Sequence, residues 1–144
     1  MDLTHKSMFK RILNAWNNRD PDHFLKLVSD YIVYEHTGSE YLIIRGKTDF
    51  RTYLMSLWKA LPNMVFDFVN TAWNEPVFFA EWNAVGNLVG KRYGVEGKNT
   101  PIKFSGVFVI ILDKDGLILE QRTYFNDVEI IKQVRKNVDM IETT

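Results

Sequence analysis

The stretch "TPIKFSGVFVIILDKDGLILEQRTYFNDVEIIKQV", residues 100–134, decides the fold. Two runs of β-branched and aromatic residues flank Asp113-Lys114-Asp115-Gly116, a tight-hairpin signal. After Phe125 the period changes, and Ile130, Ile131 and Val134 fall along one side of a helix. The stretch therefore predicts strand, hairpin, strand, helix. At the last join, Asn126 is placed to cap the helix by accepting a first-turn N–H bond. Glu129 is spaced to reach back to that cap, and Phe125 and Ile130 to form a hydrophobic staple. With Asn126 as the cap, Asp127 is expected to point away from any pocket.

Upstream, "MVFDFVNTAW" at 64–73 and "VFFAEWNAVGNLVG" at 77–90 read as two more strands joined through Asn74-Glu75-Pro76. "KRYGVEGKN" at 91–99 reads as a polar loop long enough to move or to cover an opening. Phe50, Tyr53, Leu54, Leu57, Trp58 and Leu61 form the clearest helical stripe, ended by Pro62. Before it, "DYIVYEHTG" at 30–38 is a short strand. Asp20 and Pro21 start a helix, and Met8, Ile12, Leu13 and Trp16 mark the first one. Helices, then a meander, then one closing helix make an α+β fold rather than alternating βαβ units. The expected architecture is a strongly curved antiparallel sheet wrapped as a half-barrel against the N-terminal helices, with a hollow between them.

Composition narrows the function classes. The 144 residues suit one domain, 1–144, with 46% hydrophobic and 25% charged residues. Aromatics reach 14%, which suits an aromatic-lined hollow as well as an aromatic core. Eighteen basic residues balance eighteen acidic ones, so concentrated phosphate binding and a nucleic-acid role are not expected. Cysteine is absent, excluding disulfides and thiolate chemistry. No apolar run approaches a membrane span, and the N-terminus lacks a signal-peptide pattern, so a cytoplasmic location is expected. No His/Asp/Glu cluster or glycine-rich phosphate loop is spaced for a ligand, so neither a metal nor a cofactor is expected.

Three segments carry a family resemblance: "GKTDF" at 46–50, "FFAEWNAVGN" at 78–87 and "DKDGLILEQRTYFNDVEIIKQV" at 113–134. With the element order, they resemble the SnoaL-like proteins of the nuclear-transport-factor-2-like superfamily. That superfamily includes polyketide cyclases, ketosteroid isomerases and limonene-epoxide hydrolases. Arg122 and Asn126, in an Arg-x-x-x-Asn pattern, are similar to the phenazine-biosynthesis A/B type. The resemblance implies a cone of bent sheet closed by helices, a pocket for an apolar or aromatic small molecule, and a homodimer through the outer sheet face. It also implies pocket acids, and these are replaced here. The working Asp of many relatives falls on Asn126, and the phenazine-type acid and His fall on Thr123 and Tyr53. The Arg and Asp of the epoxide hydrolases fall on Trp82 and Ala84.

Tyr34 and His36, two apart on one strand, share a face and are the catalytic candidates. Glu35 lies on the opposite face and is a poor partner for His36, while His5 and His23 fall in polar helical contexts and are expected to be solvated. Trp16, Tyr53, Leu57, Trp82, Thr123, Asn126 and Arg122 are the candidate binding residues. Arg122 fits either an anionic ligand group or a cross-strand pair with Glu81 or Glu120 on the outer face. Two function classes stay open: a cyclase- or isomerase-type enzyme using His36 with Tyr34, and a non-catalytic binding or interaction module of the same fold.

Overall fold

The computed structural model describes the backbone of residues 3–38 and 41–143, with side chains from 5 to 38 and from 41 to 137. Among these residues the order is α1 (Leu3–Asn18), α2 (Pro21–Leu25), β1 (Val28–Thr37), β2 (Tyr41–Arg45) and α3 (Lys47–Ala60). Then follow β3 (Val65–Asn74), β4 (Val77–Arg92), β5 (Val95–Leu112), β6 (Ile118–Phe125) and α4 (Val128–Thr143). The strands form one sheet in the order β2-β1-β6-β5-β4-β3. The junctions are antiparallel as expected except between β1 and β6, which run parallel. The sheet is thus mixed, because the first long strand inserts beside the last. Strand β2 went unread in the sequence.

Local chemistry accounts for most boundaries. The Asp20 carboxylate accepts the N–H groups of Asp22 (3.1 Å) and His23 (3.3 Å), capping α2 with Pro21 at its start. Helix α3 begins after Gly46, whose φ of 86° only glycine takes without strain. It buries Phe50, Leu54, Leu57 and Trp58 as its stripe predicts. Asp113 shapes the β5–β6 turn by accepting the N–H groups of Asp115 and Leu117 at 2.9 and 3.0 Å.

Residues 91–99 are not a polar loop. Strands β4 and β5 run almost to the tip of one long hairpin, turning over Tyr93 (φ 57°) and Gly94 (φ 76°) alone. Two successive positive φ values mark the turn that suits the twist of a hairpin. Polar residues on both strand faces hid the alternation. Farther along β5, a Cβ on Gly106 would lie 2.4 Å from the Tyr124 carbonyl oxygen and 2.6 Å from the Trp82 ring. The sheet coils there more tightly than any side chain allows.

The helices pack into the concave face over an aromatic core. Trp16 of α1 stacks on Phe108 at 5.1 Å, and Trp82 of β4 meets Phe66 and Phe108 at 4.9 and 5.2 Å. Both indoles are about 1% exposed, so truncating either to alanine costs about 3–5 kcal/mol. Helix α1 is also tied to the sheet edge, because Asn17 exchanges two hydrogen bonds with the Phe66 backbone at 2.8 and 3.0 Å. His5 belongs to this interior rather than to solvent. It is 9% exposed, stacks on Trp73 at 4.6 Å and pairs with Glu75 at 2.5 Å. His23 is exposed as expected.

Helix α4 closes the side of β5. Gln133 accepts the Lys103 N–H at 2.8 Å and donates to the Lys103 carbonyl at 2.6 Å, standing in for a strand neighbour. Glu129 accepts the Ser105 N–H at 3.3 Å instead of completing a capping box.

Candidate functional site

The inner face at the open end of the cone is set by register. Tyr34 and His36 of β1 lie opposite Gln121 and Thr123 of β6, and alternation turns all four side chains inward. The Tyr34 hydroxyl lies 2.8 Å from Thr123 Oγ1 and 3.5 Å from the Tyr53 hydroxyl of α3. Thr37 donates to the Thr123 carbonyl at 3.0 Å, locking the parallel junction at this level. Burial pushes the Tyr34 phenol up to about 12. Burial also drives Tyr53 and Tyr93 upward, reinforced in each by the other phenols nearby. These tyrosines therefore remain hydrogen-bond donors, not bases, throughout the neutral range.

Two spaces meet at this level. A narrow void of about 20 Å³, room for a single water, lies between Trp16, Tyr34, Leu57, Trp82 and Thr123. Above it opens a cleft of about 940 Å³, walled by β2, α3 and the tip of the β4–β5 hairpin. His36 and Tyr53 belong to both walls, with Tyr93 of the hairpin tip. His36 is 8% exposed and lies edge-on to Phe125 at 4.7 Å. The expected hollow is therefore two-tiered. Trp16, Leu57, Trp82 and Thr123 form a nearly filled floor, and the accessible room lies above His36.

Asp127 is the site residue that sequence reading missed. It is 3% exposed, and a Cβ placed on Gly38 would sit 3.1 Å from its Oδ2 and 3.3 Å from His36 Cε1. Carboxylate and imidazole therefore flank the same glycine, whose bare Cα gives them room. The foreseen bond exists, with Asn126 Oδ1 accepting the Val128 N–H at 3.1 Å. Yet the first i→i+4 bond of the helix runs from the Ile131 N–H to the Asp127 carbonyl (3.0 Å), and the Asp127 side chain turns inward. Strand β6 ends at Phe125, so alternation does not reach Asp127, and its burial beside Gly38 comes from the turn into α4. Asn126 itself is exposed and lines neither space.

Arg122 falls on the other parity. Its neighbours across the sheet are Glu35 and Val109, so it lies on the outer face, half-buried, and is not brought to the cleft. Glu35 instead accepts a hydrogen bond from Tyr41 at 2.5 Å. Two cations at the end of β4 do reach the cleft, Lys91 and, more deeply set, Arg92. Its guanidinium carbon lies 5.6 Å from the ring centres of both Tyr53 and Tyr93, and Nη1 donates to Ser56 of α3 at 3.1 Å. Among the described residues, no group of three or more His, Cys, Asp or Glu could hold a metal ion. No described helix is long and apolar enough to cross a membrane.

The family model for the SnoaL-like domain matches residues 9–121, from α1 into β6, which includes Tyr34, His36 and the cleft walls but stops before Thr123 and Asp127. The chain belongs to the SnoaL-like family. No curated protein matches it in sequence. Solved structures similar to this SnoaL-like domain include a protein from Shewanella denitrificans OS-217 assigned as a SnoaL-like polyketide cyclase. It shares 15% identity at a TM-score of 0.82, covering 92% of this chain and 98% of that one. Another is AclR of Streptomyces galilaeus, assigned as a hydroxylase, with 18% identity, a TM-score of 0.75, and 93% and 86% coverage. A phenazine biosynthesis-related protein from Pseudomonas aeruginosa has 15% identity, a TM-score of 0.73, and 91% and 86% coverage. At such identities the likeness shows a shared fold. What this SnoaL-like domain does must be argued from its own cleft.

Proposed function

We propose that this SnoaL-like domain binds a flat, largely apolar small molecule in the cleft and acts on it by proton transfer through His36, as a cyclase or isomerase does. The observation that carries the reading is the position of His36, which borders both cleft and floor with the Asp127 carboxylate across Gly38. Imidazole is the side chain whose ordinary pKa lies nearest neutrality. In the proposed step, His36 takes a proton from a carbon beside a ligand carbonyl. The enolate oxygen then receives a hydrogen bond from the Tyr53 hydroxyl. Returning the proton to another carbon isomerises the ligand. Attack of the enolate carbon on a second carbonyl closes a ring, and the proton goes to the oxygen of that carbonyl. Neither outcome needs a co-reactant. Tyr34 stays protonated, donating to Tyr53 and accepting from Thr123, and so holds both in place.

The test is a thermal-shift screen against polyketide-like phenols and aromatic ketones, followed by deuterium uptake at the ligand's acidic carbon. A ligand at 100 times its dissociation constant adds about 2.7 kcal/mol of stability. His36→Ala should keep binding and lose exchange by at least about 100-fold. Binding with no exchange in the wild type would instead support the carrier alternative.

A homodimer through the outer sheet face accompanies this reading. Phe79 and Tyr124, 39% and 44% exposed, stand beside Val107 and Val109 on neighbouring strands. Phe79→Lys should then shift the light-scattering mass from dimer to monomer, and a monomeric wild type would exclude the dimer.

A further inference from the structure

We propose that Arg92 makes the cleft selective for an anionic ligand, a flat aromatic or enolic carboxylate whose charged end meets the guanidinium. Its apolar body then lies along Tyr53 towards His36. This rests on the cleft being the ligand site argued above. It goes further in naming the ligand's charge and the residue that reads it.

Arg92 is half-buried at the hairpin tip and belongs to the cleft wall. Its contacts within the protein are neutral: the Ser56 hydroxyl at 3.1 Å and the Tyr53 and Tyr93 rings at 5.6 Å. Among the described residues no carboxylate lies within ion-pair distance of it. Asp49, Glu96 and Lys91 line the same cleft, and Lys91 is exposed where Arg92 is half-buried. A sunken cation faced by neutral groups is costly unless something compensates for its lost hydration. The two rings compensate in part, since each presents a negative face to a cation. The planar fork carries five N–H donors, of which Ser56 takes one and the Tyr53 and Tyr93 hydroxyls engage others. The remaining donors suit the two oxygens of a carboxylate, a geometry an ammonium cannot reproduce. Asp49 and Glu96 would repel a ligand negatively charged at both ends, which favours a monoanion over a dianion.

Isothermal titration with 1-hydroxy-2-naphthoate and with its uncharged methyl ester tests the proposal. Wild type should bind the acid at least about tenfold more tightly than the ester. Arg92→Gln should remove that preference while leaving ester affinity within about twofold, and Arg92→Lys should restore only part of it. Ser56→Ala separates ligand reading from hairpin anchorage. It removes the pin but leaves the guanidinium, so the preference should survive. Equal binding of acid and ester by wild type, persistence of the preference in Arg92→Gln, or its loss in Ser56→Ala would each overturn the proposal, leaving the cleft reading intact. If neither compound binds at millimolar concentration, the cleft reading falls and this proposal falls with it.

Discussion

Gln121 carries both ends of its amide into the interior, 1% exposed and without a hydrogen-bond partner among the described residues. A buried polar group left unpaired costs about 1–3 kcal/mol, so Gln121→Leu should stabilise the fold by about 1 kcal/mol and raise Tm by about 3 °C. Its neighbour across the sheet, Tyr34, gives the chain an alkaline limit. The phenol ionises near 10.0 when free and near 12 when buried. The native state therefore holds a proton that the unfolded chain has released. Stability is full below about pH 10 and falls towards pH 12, and Tyr34→Phe should flatten that decline in a urea titration. Gly38→Ala tests the spacing of the site directly. The new methyl would press on Asp127 and His36 at 3.1 and 3.3 Å, so ligand exchange should fall severalfold while stability changes by under about 1 kcal/mol. At this scale the sequence was readable where alternation ruled. Tyr34 and His36 could be assigned to one face and Thr123 came through the family resemblance, whereas the helix cap masked Asp127 because one motif explained both Asn126 and its neighbour.

The elements show two amides doing the work of missing strands. Asn17 pairs the Phe66 backbone and Gln133 pairs that of Lys103, each through both halves of its side chain. Gln133→Ala should cost about 1 kcal/mol and speed hydrogen exchange at the Lys103 amide, with little change at β1. The hairpin tip is more demanding. Gly94 holds a φ of 76°, so Gly94→Val should strain the turn, shift the hairpin tip that carries Arg92 and Tyr93 into the cleft wall, and weaken ligand binding more than it lowers Tm. Helix stripes and the Asp113–Gly116 turn were legible because their chemistry is local. The arm formed by β4 and β5 was not, since its distal half is polar on both faces and pairs mainly with itself. Strand β2 escaped for a related reason. Tyr41, Leu42 and Ile43 are exposed, so its apolar run lacks the alternation of a half-buried strand.

At the level of the whole molecule, the parallel contact of β1 with β6 joins residues nearly ninety positions apart, as in the Tyr34–Thr123 pair. The curved half-barrel against helices could be anticipated from element order and periodicity, and its cone shape from the family resemblance. The parallel junction could not, because no local pattern records which distant strand will lie alongside. Contacts of such sequence separation slow folding, so refolding should take milliseconds to seconds rather than microseconds. Stopped-flow fluorescence of the buried tryptophans would measure this. The same junction bears on the chain's birth at the ribosome. His36 emerges about ninety residues ahead of Thr123 and Asp127. A nascent chain can assemble its helices and first hairpins and still hold no working cleft. The site then completes in one step, with the arrival of the last strand.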